Sequence, residues 1–164
     1  PIIQRMHQRF SGYLAESATA EDHAAVSKFG DRVYISRSMA TRRRVANEEA
    51  ILPVLKKHGF TVFTAEQHDW RVQVQVAANA KYLVSNHGAG LTNMMMMTPQ
   101  SRVLEIRDAV EETPNCYFSL ASASRLDYYY ALAHRVDPQQ CVHHGDVNVD
   151  PEQLDTTLGE MVAE

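Results

Sequence analysis

Residues 87–93, with the sequence HGAGLTN, bring together more chemically useful residue types than any other segment of this chain. The segment follows an apolar run, Tyr82-Leu83-Val84, and continues into a helix-compatible run that ends near Met97. This order predicts a strand, a turn of small residues and then a helix. The first N–H groups of a helix have no partner inside the helix, and their partial positive charge attracts anions. The segment therefore predicts a binding site for a phosphate-bearing molecule.

The side chains of this segment are of two kinds. Three residues are small and let a ligand approach the backbone closely, namely Gly88, Ala89 and Gly90. Two residues flank the turn and can hydrogen-bond a ligand, namely His87 and Asn93. We expect His87 to contact the phosphate-bearing ligand or to orient the turn.

Arginines near the end of an earlier predicted strand are candidates for neutralising the same anion. Arg37 follows the apolar sequence 32–36, and a basic run, Arg42-Arg43-Arg44, comes shortly after it. Guanidinium groups bind phosphate through paired hydrogen bonds and stabilise its charge without a metal ion. The alternatives are a surface ion pair for Arg37 and an ordinary solvated loop for the basic run.

Four further polar residues are candidates for the same site, and each has a structural alternative. Asn47 either contacts the ligand or caps the next helix, and Glu48 either begins that helix or orients an arginine. Gln73 is expected to hydrogen-bond a nucleobase, to brace the glycine turn, or simply to be exposed on a helix. Glu105 is expected to hold ribose hydroxyls or to form an ion pair with Arg37 or Arg107.

Apolar periodicity predicts strands that alternate with helices. The strands are predicted at residues 32–36, 60–64, 82–85, 102–106, 128–132 and 146–149. The helices are predicted at residues 2–14, 48–58, 70–80, 91–97, 118–124 and 151–162, with residues 16–30 irregular. This alternation predicts an α/β fold, a Rossmann-like doubly wound and mostly parallel sheet with helices on both faces. Ligands of such sheets bind beyond the carboxyl ends of the strands, where Arg37, His87 and Arg107 are expected.

The composition limits the classes of protein to consider. A chain of 164 residues with 45% apolar and 22% charged residues is expected to form one domain over residues 1–164, with a leading helix and loop over residues 1–30. Its formal net charge of −4 argues against a broad surface for nucleic acid. Cys116 and Cys141 are expected to be reduced thiols, and no metal-ligand set is complete. No apolar run is long enough to span a membrane, and we expect a cytoplasmic protein or one held at the inner membrane face.

Several short motifs occur together in an order that is typical of one enzyme family. They are Tyr34-Ile35-Ser36-Arg37, Arg43, Asn47-Glu48, Gly59-Phe60, Gln73, residues 87–93 and Val103-Leu104-Glu105-Ile106. In order and spacing they resemble glycosyltransferase family 61 over residues 30–110. That family includes bacterial capsular polysaccharide enzymes, plant xylosyl- and arabinosyltransferases, and animal protein O-linked N-acetylglucosaminyltransferases. The resemblance is strongest to the bacterial members and includes residues 149–154.

The resemblance implies an activity and an architecture. It implies inverting transfer of a sugar from a nucleotide diphosphate sugar to a glycan or polysaccharide acceptor, by an enzyme of two-domain GT-B architecture. This chain would be the donor-binding C-terminal half, with the N-terminal acceptor domain absent. The alternative is a non-catalytic nucleotide-sugar-binding module or an assembly subunit.

The resemblance also ranks the candidate residues. Family position favours Arg43 over its two neighbours as a ligand of the diphosphate. His87 is only a weak candidate for the catalytic base, because inverting GT-B enzymes usually take that group from the other domain. No cofactor and no metal are expected.

Overall fold

A six-stranded sheet forms the centre of the protein in the computed structural model, which describes residues 2–110 and 114–163. Its strands are β1 Arg32–Ser36, β2 Thr61–Thr64, β3 Tyr82–Asn86, β4 Arg102–Asp108, β5 Asp127–Arg135 and β6 Val147–Val149. The order across the sheet is β2-β1-β3-β4-β5-β6, in which β1 to β5 are parallel and β6 is antiparallel to β5. The prediction of a mixed α/β fold with a mostly parallel sheet is confirmed.

Helices flank this sheet. The α-helices are α1 Ile2–Ser17, α2 Ala20–Val26, α3 Glu48–Lys57, α4 Trp70–Asn79, α5 Cys116–Ser124 and α6 Pro151–Val162. Two 3₁₀ helices lie at Ala65–Gln67 and Ala89–Met96. Residues 70–76 alternate between apolar and polar, a pattern that strands also show, but they are helical, as predicted. Asp69 caps this helix by accepting a hydrogen bond from Arg71 N at 2.8 Å.

Two segments differ from their predicted structure. Residues 16–30 are not irregular, because Thr19 and Asp22 form a capping box that starts α2. Asp22 N donates to the Thr19 hydroxyl at 3.1 Å, and Thr19 N donates to the Asp22 carboxylate at 2.9 Å. The helix predicted after the glycine turn is a 3₁₀ helix that begins earlier, at Ala89, with a first hydrogen bond from Leu91 N to Gly88 O at 2.9 Å.

Both faces of the sheet are covered by apolar side chains. On one face, α3 and α6 bury their apolar sides against the sheet, with Ile51 and Leu158 fully buried. On the other face, α4, the 3₁₀ helix 89–96 and α5 pack against the sheet, with Leu91 and Met94 fully buried. Burial on both sides explains why the buried residues of β1 and β3 form apolar runs rather than alternating with polar ones.

The chain leaves β1 and β3 toward opposite faces of the sheet. After β1, a basic loop (residues 37–47) leads to α3 on the first face, and after β3 a bend at Gly88 leads to the 3₁₀ helix 89–96 on the second face. Since β1 and β3 are hydrogen-bonded neighbours, the two segments diverge between the carboxyl ends of these strands, the position of the crevice in open α/β sheets. In open α/β sheets, this is where ligands bind.

Asn47 joins the end of the basic loop to β6. It occupies the N-cap position of α3, but its side chain makes no capping hydrogen bond, so the predicted cap is wrong. Its amide nitrogen instead donates to Val149 O at 2.7 Å, and its amide oxygen accepts from Val149 N at 2.9 Å. An amide group can pair with a backbone in this way because it carries both a donor and an acceptor.

We predict that Asn47→Ala lowers the free energy of unfolding by about 1–3 kcal/mol, since it leaves both backbone groups of Val149 without these partners in a half-buried place. Urea denaturation checks this value. Asn79→Ala is the matched control, because its amide makes a single exposed hydrogen bond to Gly30 O at 3.2 Å. The control is expected to change the stability by less than about 0.5 kcal/mol, and equal losses would contradict the structural role of Asn47.

Candidate functional site

Arg37 lies directly against the glycine bend (residues 87–90) at the carboxyl ends of β1 and β3. A Cβ atom added to Gly88 would lie 2.6 Å from Arg37 Nη1 and 3.0 Å from Arg37 Cζ. Gly88 has an extended backbone (φ 171°) that any residue can adopt. Its lack of a side chain therefore matters for the space that it leaves to Arg37, and not for its backbone angles. The expected proximity of Arg37 to the small-residue turn is therefore present in the structure.

The guanidinium of Arg37 is held by backbone carbonyls of the basic loop. Nε donates to Arg43 O at 3.0 Å, and Nη2 donates to Arg42 O at 3.1 Å. Burial lowers the pKa of Arg37 from its ordinary value, and the nearby positive charge of Arg43 lowers it further. Both effects disfavour the cation, so a bound anion at this place would gain by relieving them.

Arg43 has a strained backbone whose carbonyl joins the basic loop to β3. Its φ of 54° lies in the left-handed region, which is unfavourable for a residue with a side chain. Its carbonyl accepts from Arg37 Nε and also from Asn86 Nδ2, the latter at 2.8 Å. The amide oxygen of Asn86 in turn accepts from His87 N at 2.9 Å. Asn86 is thus the link between the basic loop and the glycine bend.

The Arg43 side chain lines a narrow cleft, which we call the Arg43 cleft. The other lining residues are Asn86, His87, Asp108, Pro114, Val142, His143, Gly145 and Val147. Its cavity volume is about 20 Å³, room for little more than one water molecule. Arg43 Nε is buried there and has no hydrogen-bond partner in the described part of the chain. The cleft therefore suits one small acceptor group at the edge of a larger ligand.

His87 is oriented by a buried carboxylate. Its Nδ1 is hydrogen-bonded to Glu105 Oε1, and the other oxygen, Oε2, accepts from the Tyr128 hydroxyl at 2.5 Å. The Glu105 side chain is fully buried, whereas the His87 side chain is 13% exposed. With Nδ1 committed to Glu105, Nε2 is the ring nitrogen left for a ligand.

Glu105 therefore differs from both sequence-based expectations. Direct contact with ribose hydroxyls does not fit a fully buried carboxylate whose two oxygens bind side chains of the protein. The expected ion pair with Arg37 or Arg107 is also wrong, because the Glu105 carboxylate is hydrogen-bonded to His87 and Tyr128 instead. Glu105 is fully buried, and a buried carboxylate needs strong donors to offset its loss of hydration.

Glu48 and Gln73 are hydrogen-bonded within the protein. Glu48 does not orient an arginine, because its Oε1 accepts from the hydroxyls of Tyr34 at 2.8 Å and Ser36 at 2.7 Å. Gln73 does not brace the glycine turn, because its amide nitrogen donates to Ala65 O at 2.9 Å and His68 O at 3.0 Å. In this conformation both side chains, like that of Asn47, bind other parts of the protein.

The remaining members of the 87–93 segment lie at the start of the 3₁₀ helix. Ala89 is exposed, and the N–H groups of Ala89 and Gly90 precede the first helical hydrogen bond. Gly90 lies close to Ile35, since an added Cβ would lie 3.3 Å from Ile35 Cγ2. Asn93 is half-buried.

Sequence reasoning did not identify Tyr117, Tyr128 or Asn86 as parts of this site. The Tyr117 ring packs edge-on against His87 with centroids 5.0 Å apart, and burial raises the pKa of its phenol. Burial, aided by the hydrogen bond to Glu105, likewise raises the pKa of Tyr128 well above its usual range. Only Asn86 had a signal in the sequence, a polar residue at a strand end directly before His87; the two tyrosines come from distant segments.

Within residues 2–110 and 114–163, no three His, Cys, Asp or Glu side chains cluster in a way that could hold a metal ion. Over the same residues, no helix combines the length and the apolar character needed to cross a bilayer.

Comparison with known proteins identifies similar sequences. The family profile described as Glycosyltransferase 61 matches residues 1–104. The Takifugu rubripes protein O-linked-mannose beta-1,4-N-acetylglucosaminyltransferase 2 is 29% identical over 153 residues, which are 88% of this chain and 25% of the relative. The EGF domain-specific O-linked N-acetylglucosamine transferase of Drosophila melanogaster is 30% identical over 115 residues, 68% of this chain and 22% of the relative. Its Gallus gallus counterpart is 25% identical over 130 residues, with 73% and 23% covered.

The chain spans about a quarter of the length of these curated relatives. All three are animal proteins, so they do not support the expected likeness to bacterial capsular enzymes. The profile match takes in β1, the basic loop and the glycine bend, which together carry Arg37, Arg43 and His87. With nearly two thirds of its residues matched by this profile, the chain belongs to the Glycosyltransferase 61 family.

Proposed function

We propose that this chain binds the donor of a glycosyltransferase and holds the diphosphate of a nucleotide sugar in the crevice between β1 and β3. The observation that carries the proposal is the contact of the Arg37 guanidinium with Gly88 at the point where the chain leaves the sheet toward both faces. A cation beside a bend of small residues fits an anion that must approach the backbone closely.

The charges around the crevice support a diphosphate. Arg37 and Arg43 bring two positive charges together, and burial of Arg37 makes its charge costly without an anionic partner. In sugar transfer, the bond between the anomeric carbon and a diphosphate oxygen breaks, and negative charge grows on that oxygen. Guanidinium groups that are already in place stabilise this charge without having to reorganise.

His87 completes the donor site in this proposal. Its Nε2 donates to the diphosphate when the ring carries both protons, and the Glu105 carboxylate at Nδ1 supports the resulting positive charge. The acceptor hydroxyl attacks the opposite side of the anomeric carbon, with inversion, and its proton passes to a base on another part of a GT-B enzyme.

The acceptor is the least specified part of the proposal. The relatives are named for transfer of N-acetylglucosamine to O-linked mannose on protein or to EGF domains. These names support an acceptor that is a glycan or a protein. We choose uridine diphosphate as the first donor probe, because the resemblance to family 61 implies a nucleotide diphosphate sugar as the donor.

We predict that Arg37→Ala raises the dissociation constant for uridine diphosphate roughly 10- to 100-fold, because a hydrogen bond between charged groups contributes about 1.5–3 kcal/mol. Isothermal titration calorimetry of the folded protein measures this change. Arg44→Ala is the matched control, since Arg44 is half-exposed and paired with Asp146 at 2.7 Å. Equal losses in the two variants would refute the assignment of Arg37, and a wild-type protein that binds no nucleotide at millimolar concentration would refute the donor site.

We predict that Gly88→Ala weakens uridine diphosphate binding while the protein remains folded. The added methyl group would meet Arg37 Nη1 at 2.6 Å, and the flexible end of that side chain would move away from the bend. Calorimetry gives the affinity and thermal unfolding gives the stability. Gly12→Ala is the control, because nothing lies within 4 Å of its added Cβ, and it is expected to bind as the wild type does. Wild-type affinity in Gly88→Ala would show that the contact does not matter for binding.

A further inference from the structure

A chain of hydrogen bonds runs behind His87 from β4 and β5. Arg107 Nη1 donates to Tyr128 Oη at 3.4 Å, Tyr128 Oη donates to Glu105 Oε2 at 2.5 Å, and Glu105 Oε1 is bonded to His87 Nδ1. Glu105 and Tyr128 lie beyond the stretch that the family profile matches. The proposed function uses the end of this chain, His87, but assigns nothing to Tyr128.

We propose that Tyr128 is a positioning residue that fixes the Glu105 carboxylate, whose other oxygen holds the proton of a singly protonated His87 on Nδ1. The functional meaning of this role rests on the function proposed above, because a ring that keeps its first proton on Nδ1 takes up its second on Nε2, from which it donates to the diphosphate. The role itself concerns the protein without ligand and can be tested without one.

The donors and acceptors around Glu105 determine where each hydrogen lies. A carboxylate only accepts hydrogen bonds, so each oxygen of Glu105 requires a donor. The oxygen of Tyr128 already accepts from Arg107, and the tyrosine hydrogen therefore points to Oε2. Oε1 is left for a hydrogen on His87 Nδ1, which places that proton on Nδ1 and leaves Nε2 without one. The His87 side chain lines the Arg43 cleft.

Because Glu105 is buried, an arrangement with a donor at each carboxylate oxygen is favoured over one in which a donor is missing. Its side chain is fully buried, so a missing donor would leave a carboxylate oxygen unsatisfied, at a cost that a solvated group does not bear. The charged or titratable groups around the ring come from several elements. They are Glu105 on β4, Tyr128 on β5, Tyr117 on α5, and Arg43, Asp108 and His143 along the cleft.

The test replaces the carboxylate by an amide of the same shape and reads the ring by ¹⁵N NMR without ligand. In the wild type, Nδ1 of His87 is expected to be the protonated nitrogen whenever the ring carries a single proton. In Glu105→Gln, Tyr128 still requires an acceptor at Oε2, so the amide NH₂ group faces Nδ1 and the single proton moves to Nε2. In Glu105→Gln combined with Tyr128→Phe, that requirement is gone, and the form protonated at Nδ1 is expected to reappear.

Tyr130→Phe in the Glu105→Gln background is the matched control, because Tyr130 lies on the same strand but is 57% exposed. It is expected to leave the proton on Nε2. Three results would overturn the proposal, namely Glu105→Gln with its proton still on Nδ1, a double variant identical to Glu105→Gln, or a control that acts as Tyr128→Phe does.

A second variant decides the matter if Glu105→Gln does not fold. Tyr128→Phe alone removes one of the two donors to Glu105 and is expected to shift the His87 Nδ1 proton resonance, whereas Tyr130→Phe is not. An unchanged resonance in Tyr128→Phe would overturn the proposal. A parallel titration with uridine diphosphate separates the two proposals, since absent nucleotide binding with the expected NMR pattern rejects the donor site and leaves the role of Tyr128 intact.

Discussion

The carbonyl of Arg43 is the contact on which the arrangement of the site depends. It accepts hydrogen bonds from Arg37 and from Asn86 at once, and so fastens the basic loop to the ends of both β1 and β3. The loop reaches this position through a left-handed backbone at Arg43, a conformation that costs about 1–3 kcal/mol in a residue with a side chain. Two hydrogen bonds to one carbonyl, one of them from a cation, are the compensation that keeps the loop in place.

The distribution of charge distinguishes this edge of the sheet from the rest of the protein. The crevice gathers Arg37 and Arg43 at one edge of the sheet, in a chain whose formal net charge is −4. The local positive charge therefore contrasts with the protein as a whole and focuses attraction for an anion on one place. Glu105 does not cancel this charge at the surface, because its side chain is fully buried next to His87. Arg37 and Arg43 thus supply the positive charge at this edge of the sheet, and the buried Glu105 supports the imidazole of His87.

Sequence patterns predicted the elements well where a local signal was sufficient. Continuous apolar runs marked the strands, and Asp150 with Pro151 marked the start of α6, where Asp150 accepts from Glu152 N at 2.9 Å. The capping box of Thr19 and Asp22 was an equally local signal for α2. Apolar periodicity alone does not include this signal, and it predicted residues 16–30 to be irregular. The expectation for Asn47 failed for a different reason, because its partner is the backbone of Val149, 102 residues away.

The sequence by itself determined the α/β class, the family, and the placing of Arg37 and His87 after strands that end at one edge of the sheet. These features follow from apolar periodicity and from short motifs, which are properties of neighbouring residues. Only the tertiary structure decided which of the candidate polar side chains already have hydrogen-bond partners within the protein. Glu48, Gln73 and Glu105 were candidates for the ligand site in the sequence, and each has hydrogen bonds within the protein. The physical reason is that a polar group in a packed interior must find its partner wherever the folded chain brings one, and that partner need not be close in sequence.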